Sequence, residues 1–462
     1  MSQRFANRKL LVSVFNAQEA REAVLGGGRI IDSEDPKSAL GNIKPQQIMA
    51  ISDAVLDFHR DFEVQLSTNI GEDQLLFDRS PSGQAIEKSP YEIAGKAAQA
   101  AIGVACSMGT RVHPVNIVKV GLDAMKPDLL TEVLAEVVLT LNRTEQFSHS
   151  QVMSVLFAQD LVTWRQRKDM DAVRRSLVEL REFAPCDPKE PGAFDLCQYA
   201  VKTLKDREGR PLFRDQSEVS LGALIQRQVL PENSDHSYVK VNDPFAHAEF
   251  FPGLADAKTE KTNVEVIRAM VDATAAARAH GIMIDSSILS KTSQICCVDT
   301  SSPSMVDLNR FDVRDGMPKV GILSLDDIRF FVDYCHYRGV FANLAGSITS
   351  YQAQQLWVLV PELDQLSTRG EGSALSADPA ERGAVAADTR QHRVIKRHMV
   401  RGLAPPEHGG VLNLPESMKN KPEASKAIEE LRRMIQQRRE PMGLPKLESF
   451  FVDRFGRPEP IS

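Results

Sequence analysis

Short runs of apolar residues alternate along this chain with segments whose apolar positions recur every three or four residues. The runs lie at 10–15, 29–33, 62–68, 115–121, 238–242, 281–286, 340–346 and 363–368. Strand-length runs separated by helix-period segments are the mark of a parallel sheet with crossover helices. After the first run, Asn16 stands three residues ahead of Glu19, a capping-box spacing, and Gly26-Gly27-Gly28 closes the helix before the second run. Eight runs favour a closed (β/α)8 barrel over an open doubly wound sheet.

Two regions break the alternation. Beyond a helix expected at about 128–141, residues 143–236 are rich in helix formers and charge, with Val173, Leu177, Leu180 and Phe183, then Leu196, Tyr199, Ala200 and Leu204, at helical spacing. They predict a helical insertion after the fourth strand, packed on the barrel or against another subunit. The tail at 403–462 is punctuated by Pro405-Pro406, Gly409-Gly410, Pro415 and Pro422, and inside it 423–437 reads as a helix with Ala427, Ile428, Leu431, Met434 and Ile435 on one stripe. Such a helix docks on its own domain or on a neighbouring chain. The expected organisation is a barrel first half at 1–142, the insertion at 143–236, a barrel second half at 237–402 and a C-terminal tail at 403–462.

Composition narrows the class of partner. The 462 residues are 42% hydrophobic and 26% charged, enough for a sizeable core. A formal net charge of -6 argues against nucleic acid and against an anionic membrane surface, leaving small metabolites. The cysteines, Cys106, Cys186, Cys197, Cys296, Cys297 and Cys335, form no CxxC pair and read as reduced thiols. The polar, basic start at 1–9 is followed by an apolar run too short for a signal segment, and no run is long enough to cross a bilayer, so the cytoplasm is the expected compartment. Zinc-ligand spacings, a nucleophile elbow and a Walker loop are missing, so no metal and no cofactor is expected.

The candidate chemistry collects where strands end, the edge at which barrels place their active sites. Asp32, Glu34 and Asp35 crowd before Pro36 and Lys37; carboxylates this close repel unless a cation or protons relieve them. Lys119 interrupts the otherwise apolar fourth strand and faces either the lumen or the helix layer. In the lumen it is a site cation, serving as a base if its pKa falls or holding phosphate or carboxylate if it stays charged. Asp285 ends the sixth strand and could orient Lys119. Gly346-Ser347 after the seventh strand and Arg369-Gly370 after the eighth stand where barrels bind phosphate. His247 after the expected fifth strand, and Asp299, Asp312, Asp315 and Lys319 in a long loop after the sixth, rank lower.

These segments resemble the (5-formylfuran-3-yl)methyl phosphate synthase family, over roughly 9–390 with the insertion left out. The resemblance is carried by Leu10-Leu11-Val12-Ser13, Ile31-Asp32 with Pro36-Lys37 and Leu40-Gly41, Val118-Lys119-Val120-Gly121-Leu122, Ile284-Asp285, Asp315-Gly316 with Leu323-Ser324, Leu344-Ala345-Gly346-Ser347-Ile348, and Arg369-Gly370. It implies a (β/α)8 barrel that condenses two glyceraldehyde 3-phosphate molecules into a furan aldehyde phosphate on the route to methanofuran-type C1 cofactors, a carbon-oxygen lyase acting on phosphates. It also implies that Lys119 is a proton-accepting lysine, that Asp32 and Asp285 flank the site, and that Gly346, Ser347, Arg369 and Gly370 hold phosphate. The chain departs from the family where it carries Glu34 in place of the imine-forming lysine, since a carboxylate cannot form an iminium. Arg314 replaces a further lysine; Lys37 and Lys291 are the nearby amines. Three functions are compatible with this pattern. One is imine-free aldol or elimination chemistry on triose phosphate with Lys119, Asp32, Glu34 and Asp285 in the site. The second is a catalytically degenerate paralogue that binds a metabolite or serves as an assembly or regulatory subunit. The third is another sugar-phosphate aldolase or isomerase on the same fold. The expected partners are a phosphorylated small molecule and further copies of the chain, or a related chain in a hetero-oligomer.

Overall fold

The computed structural model describes residues 8–36, 42–58, 62–71, 77–79, 85–105, 115–121, 127–143, 149–157, 263–285, 306–307, 323–346, 348–375, 393–416, 419, 422–452 and 457–460. Eight parallel strands close into a barrel: β1 (Lys9–Val14), β2 (Ile30–Ser33), β3 (Gln65–Asn69), β4 (Val115–Gly121), β5 (Gln151–Phe157), β6 (Gly281–Asp285), β7 (Phe341–Leu344) and β8 (Gln365–Thr368). Each is followed by a helix: α1 (Ala17–Leu25), α2 (Pro45–Leu56), α3 (Pro90–Ala105), α4 (Pro127–Arg143), α5 (Asn263–Ala276), α6 (Leu325–Arg338), α7 (Ser350–Leu359) and α8 (Arg397–Leu403). β1 pairs with both β2 and β8, which closes the cylinder.

The fifth strand corrects the sequence reading. It is Gln151–Phe157, paired with β4 and β6, and not the run at 238–242, which lies outside the described residues. The connection from α4 contains neither glycine nor proline, so nothing in the local pattern separates this strand from the helical segment before it. The extra chain, residues 158–262, therefore enters after β5 and not after β4, and it lies outside the described residues with its expected helices and His247.

Side chains divide by strand parity. Leu10, Val12, Val14, Ile31, Leu66, Val118, Val120, Leu156, Ile282 and Ile284 pack outward under the helices, while Leu11, Ile30, Ile117, Met153, Val155 and Met283 fill the lumen. Each such aliphatic side chain taken out of water is worth about 1.5–3 kcal/mol. A bulge between β3 and β4 sets which β4 residues face inward. Leu66 pairs with Val115 but Ser67 pairs with Ile117, so Asn116 is skipped, and its side-chain oxygen accepts the Leu66 N–H at 2.9 Å. A one-residue slip reverses every side chain beyond it; with it, Ile117 and Lys119 share the inner face with Ser67 and Asn69.

The C-terminal residues form a unit that docks on the barrel's own α7. β9 (Leu412–Pro415), β10 (Ser449–Val452) and β11 (Pro458–Pro460) make a small sheet, and α9 (Pro422–Arg439) covers it, close to the expected 423–437. Leu412, Leu414, Ile428, Leu431, Ile435 and Phe451 pack against Tyr351 and Val358 of α7. Arg8 ties the start of the barrel to this unit through a two-pronged pair with Glu407, both contacts at 2.6 Å, and through the Trp357 carbonyl. α7 is consequently buried on every side, which explains why its sequence has no polar stripe of charge.

Candidate active site

The lumen ends, toward the C-terminal edges of the strands, in a polar layer. β2 supplies Asp32 and, one step past its end, Glu34; β4 supplies Lys119; β6 supplies Asp285; β1 supplies Ser13. Strand register sets these groups side by side: Ser13 is opposite Asp32, Asp32 opposite Ser67, and Asn69 opposite Lys119. Lys119 Nζ donates to Asp32 Oδ2 at 2.6 Å and lies 3.7 Å from Glu34 Oε2. Its side chain is 3% exposed and that of Asp32 0%. The Ser13 hydroxyl lies 3.1 Å from Asp32 Oδ2 and 2.9 Å from Glu34 Oε2.

Burial decides the charge states. Taken alone it pushes the Lys119 ammonium toward the neutral amine, but the charges of Asp32 and Glu34, with Asp285 behind them, outweigh that and hold the lysine pKa above its ordinary value. Burial also pushes the Asp32 carboxyl up; Lys119 opposes this and Glu34 reinforces it. The resting lysine is a cation whose neighbours compete for too little positive charge. The Ser67 hydroxyl bonds to Asp32 and favours its charged form, while both amide atoms of Asn69 are buried without a hydrogen-bond partner among the described residues. Buried polar atoms cost free energy unless water or a ligand completes them, so this wall offers hydrogen-bonding groups to a polar guest.

The loops after β7 and β8 sit at the same rim. Gly346 takes φ of +85°, a left-handed conformation that favours glycine, just before the capping box of α7, in which the Thr349 hydroxyl accepts from Gln352 N. Ser347 lies outside the described residues. Gly370 is exposed, and its carbonyl accepts from Ser373 N at 3.2 Å. Arg369 is buried with its guanidinium already engaged: it donates to the Ser13 carbonyl at 3.0 Å and to Glu19 at 3.1 and 3.4 Å. The Asn16 side chain caps α1 by accepting from Glu19 N, but the reciprocal half of the expected capping box is not made: the Glu19 carboxylate accepts from Phe15 N, one residue before the cap, and from Ile395 N. One carboxylate thus ties the first turn of α1 to the end of β8.

The sequence-read residues Asp32, Glu34, Lys119 and Asp285 fall on one rim, with Asp285 close enough for its charge to act on Lys119. Lys37, Lys291, Asp299, Asp312, Arg314, Asp315 and Lys319 lie outside the described residues. Ser13, Ser67, Asn69 and Glu19 are site residues that the pattern alone does not flag. The available signal is parity: Ser13, Ser67 and Asn69 are polar at inward positions, in phase with Leu11 and Ile30. Among the described residues no cluster of His, Cys, Asp and Glu is arranged to hold a metal ion, and no helix is long and apolar enough to cross a membrane.

Residues 10–178 match the family model described as 4-HFC-P synthase, the family to which the sequence resemblance points. The match takes in Asp32, Glu34 and Lys119 and stops short of Asp285, Gly346 and Arg369. No curated protein matches the chain. Among solved structures it is similar to phosphoribosyl anthranilate isomerase from Thermus thermophilus, at 10% identity and TM-score 0.30, with 86% of this chain and 96% of that one covered. It is also similar to a putative lyase/mutase from Burkholderia cenocepacia, at 10% identity and TM-score 0.31, covering 78% and 76%. A truncated 3-deoxy-D-arabino-heptulosonate 7-phosphate synthase from Thermotoga maritima stands at 8% identity and TM-score 0.27, covering 85% and 84%. At these scores the likenesses are weak, and the fold assignment rests on the closed barrel itself.

Proposed function

We propose that this chain, whose residues 10–178 match the 4-HFC-P synthase family model, acts on a triose phosphate by aldol and elimination chemistry with loss of phosphate, as a carbon-oxygen lyase, and does so without an imine. The reading is carried by one observation: a lumen ammonium, Lys119, clamped between Asp32 and Glu34 at the catalytic rim. An ammonium fixed in a buried site stabilises the enolate oxygen formed when a proton leaves the carbon next to a carbonyl. The carboxyls then act as acid and base, and Lys119 takes up a proton-accepting role only when substrate draws Asp32 or Glu34 away from it. Asp285 adds a second acid across the mouth. The substrate phosphate rests on backbone N–H groups of the loops at Gly346-Ser347 and Arg369-Gly370, while the Arg369 side chain, paired to Glu19, holds the second loop in shape. The compartment that fits such a metabolite enzyme is the cytoplasm, and the assembly that fits is an oligomer of this chain.

The test is incubation of the full chain with glyceraldehyde 3-phosphate, following furan absorbance and released inorganic phosphate. Turnover that drops about 100-fold or more in Lys119→Ala, with no borohydride-trapped lysine adduct by intact mass, supports the reading. A second reading, a degenerate paralogue serving as a metabolite-binding or assembly subunit, is favoured by Glu34 standing where the imine lysine is expected. No product from the chain alone, with product formed when a lysine-bearing relative is added and enhanced by this chain, supports that reading and overturns the first.

A further inference from the structure

Asn69 is a buried amide whose hydrogen-bonding capacity the fold leaves unused. It stands on the inner face of β3, level with Lys119 in the strand register and two residues beyond Ser67, which is level with Asp32. The residue is 0% exposed, and neither its Nδ2 nor its Oδ1 has a hydrogen-bond partner among the described residues. The lumen asparagine on β7 is treated differently. Asn343, equally buried, donates to Gln365 Oε1 at 2.8 Å and accepts from the Ser367 hydroxyl at 2.8 Å. An unpaired amide in a buried wall is destabilising, and an apolar side chain of the same size carries no such cost. A polar residue kept at this position is explained by a molecule that enters the rim and completes it.

The amide itself sets the chemistry of that molecule. A carboxamide presents a donor and an acceptor side by side, so it matches a carbonyl oxygen next to a hydroxyl, whichever way round the amide lies. Lys119, its register partner on β4, brings an ammonium to the same wall. We propose that Asn69 is a substrate-binding residue that recognises an α-hydroxycarbonyl group: Nδ2–H donates to the carbonyl oxygen, and Oδ1 accepts from the hydroxyl on the adjacent carbon. The assignment rests on the function proposed above and names the part of the triose phosphate that the lumen reads. Negative charge developing on the carbonyl oxygen strengthens the same hydrogen bond, so Asn69 holds the enolate form more tightly than the carbonyl.

Binding, not turnover, is the test, on the full-length protein. Calorimetric titration with dihydroxyacetone phosphate, which carries the hydroxycarbonyl unit, is compared with 2-oxopropyl phosphate, which lacks only that hydroxyl. The hydroxyl is expected to tighten binding about 10-fold or more, because the analogue without it leaves a buried acceptor open. In Asn69→Leu, similar in size, the two ligands are expected to bind within about twofold of each other, and urea unfolding is expected at the same or a higher midpoint because no partner is lost. Equal or undetectable binding of the two ligands by the unsubstituted protein overturns the proposal without any variant. Discrimination that survives in Asn69→Leu overturns it too, as does a lowered urea midpoint, the mark of an amide already completed by the fold or by an internal water. A chain that forms no furan but discriminates the hydroxyl keeps this proposal and loses the function above; furan formed without discrimination does the reverse.

Discussion

Replacing Lys119 by Met removes an ammonium that holds Asp32 at 2.6 Å and Glu34 at 3.7 Å, and leaves their carboxyls buried. Breaking a buried ion pair from one side costs about 3–5 kcal/mol, because the abandoned charge keeps its desolvation cost and loses its partner. The penalty depends on pH with a defined sign. Asp32 is pushed above its unfolded value of 3.8 in the native state, so the stability linked to its proton is complete below that value and is lost as pH rises through the folded pKa. Lys119 draws that folded pKa down; its removal raises it and widens the window of loss toward neutrality. Lys119 itself sits above 10.5, so its own contribution persists until pH climbs through its higher folded value. Urea unfolding, followed by the fluorescence of buried Trp357 among the two tryptophans, is expected to show the full penalty near pH 7 and a much smaller one near pH 4, with the slope unchanged. Lys119→Met combined with Asp32→Asn is expected to recover part of the loss, since the carboxylate closest to the lost ammonium is then neutral while the Glu34 carboxyl remains. A Lys119→Met protein as stable as the parent near pH 7, or equally weakened at both pH values, refutes the buried-pair reasoning.

Glu19→Ala removes the carboxylate that accepts from Phe15 N and leaves the buried Arg369 guanidinium without its counter-charge, with an expected loss of about 3–5 kcal/mol in the same urea assay, and Glu19→Gln is expected to lose less. Gly281→Ala places a Cβ 2.1 Å from the Phe341 ring, so overpacking of about 1–3 kcal/mol is expected, relieved when Phe341→Leu is added; a neutral Gly281→Ala shows that the lumen floor gives way. His336 lies 2.8 Å from Asp364, whose hydrogen bond raises the imidazole pKa above its ordinary 6.5 against a smaller opposing effect of burial. Its stabilising charge is therefore complete below that value and lost as pH rises through the folded pKa, and Asp364→Asn is expected to lower the His336 midpoint in an NMR titration.

Much of the architecture is written locally. Strand-length apolar runs and the spacing of Asn16, Glu19 and the helix stripes specify seven of the eight barrel strands, because period and capping depend only on near neighbours. The strand at Gln151–Phe157 escapes that logic. Without a turn signal before it, what identifies it is pairing with β4 and β6, partners distant in sequence. The candidate site divides in the same way. Charge at strand ends singles out Asp32, Glu34, Lys119 and Asp285 with no coordinates at all. Whether Lys119 faces the lumen or the helices, however, depends on the Asn116 bulge, and a bulge is a relation between two strands. The engagement of Arg369 by Glu19 joins the end of β8 to the first turn of α1, and the setting of Ser13 beside two carboxyls depends on the pairing of β1 with β2. The linear chain determines which chemical groups stand at the rim; closure of the barrel determines which of them touch, and so where the protons and charges reside.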